Sequence, residues 1–216
     1  MRELTVTDAI AHVRHSMDEL EMNGSSMFGE EMDAAALDIL CARHLPAAVE
    51  YVHRQMPVGS LDGLTASDEE VHAEIDENGV ISVRLSVDMT RLVAFRASDS
   101  IHVLTGYVAE DSPEGRMQLN RHVCGRYDSP VLVRVDGSMG RRPAFRYYSA
   151  KDPSEPPELE IIYLPYQDDG SQSYMVADHA VQPVLERLTG LVLSSYGEAE
   201  RAQSFFDRSN SWQSLP

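Results

Sequence analysis

Cysteine is nearly absent from this sequence, since Cys41 and Cys124 are the only two among 216 residues. So few thiols exclude a disulfide framework and are typical of a reducing compartment. Long apolar runs are missing as well, and the best one, residues 188–193, is far shorter than the roughly 20 residues that a membrane helix needs. Residues 1–10 show no apolar core of a secretion signal. We therefore expect no membrane association.

Positive charge is also scarce, and lysine is almost lacking. The chain has one lysine, Lys151, and its 18 basic residues face 35 acidic ones, for a net charge of −17. Because the acidic residues are spread along the chain, we expect it to repel nucleic acid, which binds to clustered Lys and Arg. The preference for Arg over Lys fits either protein interfaces or a genome-wide composition bias. An apolar fraction of 43% indicates a folded protein.

Hydrophobic periodicity predicts helices, then strands, then helices. Apolar residues at helical spacing follow Thr5 or Thr7, and a second helical pattern begins near Glu30 and passes Pro46, which marks a kink or a first turn. The period changes to two at Val80, and short spacers between strands favour antiparallel pairing. The pattern predicts an α+β protein with N-terminal helices, a mid-chain antiparallel β-sheet and a long C-terminal helix. We expect one domain over 1–206 (helices 5–56, sheet region 71–166, helices 178–206) and a flexible C-terminal tail, 207–216.

Two finer predictions concern the burial of side chains. Leu188, Leu191 and Val192 recur on one face of the last long helix, and we expect that face to be buried. Tyr147 and Tyr148 are adjacent in a predicted strand, so that one ring is expected in the core and the other on the surface.

Motifs that carry chemistry are lacking. The eight histidines are dispersed without an HExxH pattern, and neither a GxSxG elbow nor a GxGxxG or P-loop sequence occurs. We expect no catalytic residue, no cofactor and no metal, and hence no enzyme. The acidic stretch 67–78 predicts a solvated loop with an edge strand at Val71–Ile75. A calcium site is the alternative, and the stretch lacks the alternating Asp/Asn pattern of an EF-hand loop that would favour it.

Several stretches, in their order along the chain, resemble the head-to-tail connector (adaptor) proteins of tailed bacteriophages, most closely those of crAss-like phages. The closing run, in which a helix breaks at Tyr196-Gly197 and resumes with ERAQSFF, carries most of the resemblance. The stretches are MDELEMNGSSMFGEEMD (17–33), LPAAVEYVHRQMP (45–57), MTRLVAFRASD (89–99), LEIIYLP (159–165) and LTGLVLSSYGEAERAQSFF (188–206).

This resemblance implies a structural virion protein, made in the host bacterial cytoplasm and located at the head–tail junction. It implies a homo-oligomeric ring, commonly a dodecamer, that contacts the portal protein and other tail or ring proteins. Genomic DNA would pass nearby without specific binding, and an acidic channel wall suits such passage because like charges repel.

A ring needs complementary patches on opposite sides of the subunit. Arginines on predicted strands and loops are candidates for one patch, and the acidic stretch is a candidate for the other. Trp212 and Leu215 either fold back onto their own subunit or anchor it to a neighbour. The candidate interface residues are Arg84, Arg91, Arg96, Arg141, Arg142, Arg146, Asp68, Glu69, Glu70, Trp212 and Leu215.

Two other functions stay open at this point. An acidic DNA-mimic or inhibitory binding protein would use its carboxylates to occupy a nucleic-acid enzyme, and the net charge favours it. An unrecognised hydrolase would need a cleft that collects His and Asp from distant segments. A ring-forming subunit differs from both in the mass of its assembly.

Overall fold

The computed structural model describes residues 1–22, 34–98, 100–120, 122–135, 142–149, 156–168 and 170–211. The helices described are α1 (Val6–Met22), α2 (Ala34–Gln55), α3 (Pro113–Met117), α4 (Val181–Ser195) and α5 (Ala199–Ser209). The strands described are β1 (Arg2–Thr5), β2 (Leu64–Thr65), β3 (Val71–Ile75), β4 (Val80–Leu85), β5 (Met89–Ala97), β6 (Val103–Leu104), β7 (Val108–Ala109), β8 (Val131–Val135), β9 (Ala144–Tyr148), β10 (Leu159–Pro165) and β11 (Ser173–Val176).

The predicted α+β class is confirmed, with helices near both ends of the chain and antiparallel sheets between them. Contacts divide the chain into two compact units. Unit 1 consists of Met1–Asp62 and Gln167–Pro216, and unit 2 consists of Gly63–Tyr166. This division follows the predicted order, because the expected sheet region falls in unit 2 and the expected helices fall in unit 1.

Unit 1 begins with a short strand that the sequence does not reveal. β1 pairs antiparallel with β11, and Arg2 lies opposite Val176. The chain then turns directly into α1, where the Thr5 hydroxyl accepts a hydrogen bond from the Asp8 N–H at 3.1 Å. Thr5 is therefore the N-cap, one of the two residues predicted for that role.

The helices of unit 1 bury the apolar faces that their periodicity predicts. Each of these helices has fully buried residues on its apolar face, as amphipathic helices do. They include Ala9 and Val13 on α1, Leu45 on α2 and Leu188 on α4. Leu191 is only half-buried, so the prediction for the last long helix is right for Leu188 and Val192 and wrong for Leu191. Leu193 is buried as well, so the buried stripe of α4 is wider than one helical face.

Helix α2 continues through Pro46 rather than starting there, so the first-turn alternative is wrong. Proline lacks the N–H that would bond to the preceding turn, and it is unusual inside a helix for that reason. Leu45, just before Pro46, and Ala48, two residues after it, are fully buried, so tertiary packing holds the helix on both sides of the proline. The start predicted near Glu30 lies outside the described residues.

Helices α4 and α5 approach each other closely at Gly190. The break between them is the predicted one, with Gly197 at φ 85° after the cap residue Tyr196. A Cβ on Gly190 would lie 2.5 Å from Cε1 of Phe206 and 3.2 Å from the carbonyl oxygen of Ala202. Glycine is therefore required here by space, and not by backbone conformation.

We expect Gly190→Ala to lower the free energy of unfolding by about 1–3 kcal/mol, as overpacking does. In an exposed helix the same change stabilises by about 1 kcal/mol, so the expected sign is opposite. The Phe206 ring cannot move away freely, because the Arg187 guanidinium lies 4.5 Å from its centroid. Chemical denaturation measures the change, with Ser194→Ala on an exposed position of α4 as the control. A stabilised Gly190→Ala variant would contradict the close approach.

The end of α5 corrects the predicted tail, because residues 207–209 belong to the helix. The Arg208 guanidinium bonds to Glu186 at 2.9 Å and lies 4.0 Å from the centroid of the Phe205 ring. Ser209 is fully buried. Polar residues hid this helical turn from the sequence pattern, although one of them, Arg208, pairs with Glu186 of α4.

Unit 2 contains two sheets that share one hydrophobic core. The first has the strand order β2-β10-β5-β6 and the second β3-β4-β9-β8-β7. Ile81, Val83 and Phe145 of the second sheet form one buried cluster with Phe95 and Ile161 of the first. The inner faces of the sheets therefore pack on each other as in a β-sandwich.

The distribution of strands differs from the single antiparallel sheet that the sequence predicts. The spacer between β9 and β10 is turn-rich and short enough for a hairpin, yet these strands belong to different sheets. The pair β7–β8 is parallel, and the other pairs of named strands in unit 2 are antiparallel. Alternating side chains show which residues form strands but not which strands become neighbours.

Candidate functional site

The acidic stretch contains the predicted edge strand, and a hydrogen-bonded turn precedes it where the sequence predicts a solvated loop. Ser67–Glu70 make the turn, in which a Glu70 carboxylate oxygen accepts a hydrogen bond from the Ser67 N–H at 2.8 Å. β3 follows at the edge of the second sheet. Asp68 and Glu69 are exposed, whereas Glu70 is half-buried and contributes to its own turn. The first two carboxylates are thus available to a partner.

Three of the candidate arginines belong to the second sheet or its rim. Arg84 is exposed on β4, with His72 of β3 as its cross-strand neighbour. Arg142 lies before β9 and its Nε is 3.3 Å from an Asp88 carboxylate oxygen. Arg146 on β9 lies 2.8 Å from Glu110. Arg142 and Arg146 therefore already have acidic partners within unit 2.

The other two candidate interface arginines that the structure describes, Arg91 and Arg96, lie on β5 of the first sheet. Burial lowers the pKa of Arg91, an effect that Tyr107 opposes. Arg96 is exposed and lies 3.9 Å from Glu160, its cross-strand neighbour on β10. Arg96 and Asp68 line the same groove of about 390 Å³. The structure thus brings together one predicted basic and one predicted acidic interface residue.

A larger pocket, of about 610 Å³, lies on the outer face of the second sheet. Arg146 and Tyr148 line it, opposite the turn between β3 and β4. Tyr148 is buried, which corrects the prediction that one of the two adjacent tyrosines faces solvent. Burial raises the pKa of Tyr148, and the positive charge of Arg146, together with its hydrogen bond, opposes that shift. The segment after α3 covers this face, since Gln118 and Cys124 also line the pocket.

Exposed apolar side chains are the feature that the sequence patterns miss. Among the described residues, seven of the eight large apolar side chains that are exposed lie between residues 101 and 127. This segment has neither a helical nor an alternating apolar period, and that lack of period was its only signal. The seven are Ile101, Val103, Tyr107, Met117, Leu119, Val123 and Tyr127.

Three of the predicted interface residues, Arg141, Trp212 and Leu215, lie outside the described residues. Their proposed roles stay predictions.

The ranges that the structure describes contain no group of three or more His, Cys, Asp or Glu side chains placed to hold a metal ion. One nucleophile and one base approach each other in unit 1, where His44 Nε2 lies 3.0 Å from the Ser195 hydroxyl. Burial lowers the pKa of His44, and the neighbouring Arg43 adds to the shift. None of the described helices combines the length and apolar character that crossing a membrane requires.

The two cysteines should differ sharply in reactivity. Cys41 is 1% exposed in unit 1, and burial, with a contribution from Asp38, raises the pKa of its thiol to about 12. Cys124 is half-buried and lines the larger pocket, on the outer face of the second sheet of unit 2. Since the thiolate is the reactive form, we expect an alkylating reagent at mildly alkaline pH to modify Cys124 well before Cys41. Peptide mass mapping measures both rates, and denatured protein is the control. Equal rates in the folded protein would contradict the burial of Cys41.

Comparisons with known proteins give no match, either to a family model or to a curated protein. Function is therefore inferred from the surface of unit 2. That surface combines an acidic edge, an arginine-bearing groove and a concentration of exposed apolar groups.

Proposed function

We propose that this chain is a structural virion protein rather than an enzyme. In this proposal it forms a homo-oligomeric ring at the head–tail junction of a tailed phage, between the portal and the tail. DNA passes through the ring, and no cofactor is needed. The resemblance of its sequence stretches to phage connector proteins motivates the proposal.

The observation that carries the proposal is the exposed apolar segment of unit 2. Ile101 is 80% exposed and Leu119 is 70% exposed. Monomeric proteins seldom expose several large apolar side chains close together, whereas subunits do so at the surfaces that become buried on assembly. A subunit that functions only within an assembly would explain why this segment has kept such residues at its surface.

Charge is a second support for a ring around DNA. A net charge of −17 makes the wall of a channel unattractive to phosphates, so DNA could slide without binding. Subunits with that charge repel each other, and the contacts between them must therefore be apolar or locally complementary. Unit 2 offers both kinds of group.

One observation favours the alternative of a DNA mimic, namely that Asp68, Glu69 and Glu74 are all exposed along one edge. Such a protein would act as a monomer or dimer and would inhibit a nucleic-acid enzyme. The exposed apolar segment has no role in that alternative unless it also contacts the enzyme.

Two measurements separate these functions. Mass photometry and negative-stain microscopy of the purified chain, over a wide concentration range, should show closed rings. An antibody against the chain should label the head–tail junction of the phage particles that its genome encodes. Particles that stay unlabelled, together with a protein that remains a monomer or dimer and inhibits a nuclease, would replace the ring by the DNA mimic.

A further inference from the structure

The end of α3 and the segment after it present a surface that is both apolar and basic. Met117, Leu119 and Val123 are between 50% and 70% exposed, and Tyr127 is 37% exposed. Two exposed arginines lie among them. We call this set the 116–127 surface: Arg116, Met117, Leu119, Val123, Arg126 and Tyr127.

Hydrogen bonds hold the backbone beneath this surface in place. The Gln118 side chain is buried, donates to the Glu114 carbonyl at 3.1 Å and accepts from the Gly125 N–H at 2.7 Å. Ser112 caps α3 by accepting a hydrogen bond from the Gly115 N–H at 3.0 Å. The apolar side chains are therefore exposed by an ordered scaffold and not by a loose loop, and such pre-organisation favours binding.

The charge of the 116–127 surface is opposite to that of the chain. Residues 116–126 contain three arginines and no acidic residue, although the chain carries −17. Among the described residues, neither Arg116 nor Arg126 forms an ion pair, and Arg126 only donates to the His122 carbonyl at 3.5 Å. Both guanidinium groups are thus available to an acidic partner.

The same chain carries a matching acidic surface. Residues 67–78 contain six acidic residues and neither Lys nor Arg. Asp68, Glu69 and Glu74 are exposed on the turn and on β3. This acidic edge, defined by these three residues, lies at the outer strand of its sheet.

We infer that the 116–127 surface of one subunit binds the acidic edge of a second copy of this chain. The inference rests on the proposed ring and names its two faces. Because the faces differ, the contact is heterologous, and repeated contacts of that kind close into a ring when the rotation allows. Leu119 and Met117 supply apolar burial at the centre, and Arg116 and Arg126 set the register through charge.

A nucleic acid is the competing occupant of a basic surface. The two described arginines of this surface are few for phosphate binding, because the salt-dependent affinity for nucleic acid grows with the number of phosphates neutralised. Apolar side chains that are more than half exposed gain nothing from a phosphate backbone. The second copy, which bears the acidic edge, satisfies both kinds of group.

Charge reversal on each face tests the inference. The basic-face variant is R116E/R126E, and the acidic-face variant is D68R/E69R. Each should raise the concentration at which half of the protein is assembled, on the order of tenfold or more, because like charges then face each other. An equimolar mixture of the two variants should assemble better than either alone, since a contact between the two reversed faces again joins opposite charges. Circular dichroism and melting temperature should match those of the unsubstituted chain.

The control for R116E/R126E is R2E/R43E, which makes the same change in net charge as that variant at two exposed arginines of unit 1 and should assemble normally. Normal assembly of both reversed variants, or a mixture without any recovery, would overturn the inference and leave the ring intact. An unsubstituted chain that never assembles would overturn both. Loss of binding to a short DNA duplex in R116E/R126E, with normal assembly, would also overturn the inference and assign the surface to nucleic acid.

Discussion

Replacing Phe95 with alanine should lower the free energy of unfolding of unit 2 by about 3–5 kcal/mol. Phe95 is fully buried on β5, and its ring centroid lies 5.0 Å from that of Tyr147 on β9. The two rings therefore join the facing sheets, and removal of one leaves a cavity that the sheets cannot close without losing other contacts.

Amide hydrogen exchange measures this effect, because it reports on the amides of unit 2 separately. Val103→Ala on β6 is the control, and its half-exposed side chain should cost less than about 0.5 kcal/mol. Equal losses for the two variants would contradict the placement of Phe95 at the centre of the core.

The second large effect is expected at α4, where Leu188→Ala should cost about 2–5 kcal/mol. Leu188 is fully buried in unit 1, and its helix packs on both α2 and α5. The neighbouring Leu191→Ala should cost clearly less, because Leu191 is half-buried and part of its side chain already contacts water.

Denaturant unfolding of both variants compares the two positions within one helix. If Leu191→Ala cost as much as Leu188→Ala, the buried stripe of α4 would have to be rotated toward Leu191.

The strands that the sequence predicts are those long enough to show alternation. β4 alternates Ile81, Val83 and Leu85 toward the core with Ser82 and Arg84 on the other face. The prediction of an edge strand at Val71–Ile75 is confirmed as well. The acids around it interrupt the apolar pattern, but charge on an edge strand is itself typical because it discourages pairing between sheets.

The strands that the sequence misses are short and depend on distant partners. β2 is two residues long and pairs with β10, where Thr65 lies opposite Ile162. Such a pair is stabilised by residues about one hundred positions away along the chain, and no local pattern encodes it. This pairing also places Asp68 near Arg96, so the groove that they line could not be predicted from either residue.

The exposure of the apolar segment could not be predicted from the sequence for a different reason. Met117 and Leu119 look like core residues by type, and only the packing of unit 2 reveals that they face outward. Hydrophobicity predicts burial in a complete assembly but does not say in which molecule the covering surface lies. The arginines were easier to find as a group, yet their internal partners Asp88 and Glu110 became visible only through the fold.

The way in which unit 2 interrupts unit 1 has a consequence for folding and stability. Unit 2 begins and ends side by side, since Leu64 on β2 lies opposite Tyr163 on β10. Once unit 2 has folded, it therefore acts as a short cross-link between the two segments of unit 1. Without it, an unfolded loop of about one hundred residues would separate these segments. Unfolding of unit 2 releases that loop and should weaken unit 1. A folded unit 1 should stabilise unit 2 by the same free energy, because it already closes the loop that unit 2 forms when unfolded. The coupling between the units is therefore mutual, although unit 2 alone is continuous in sequence and can fold without first closing a long loop.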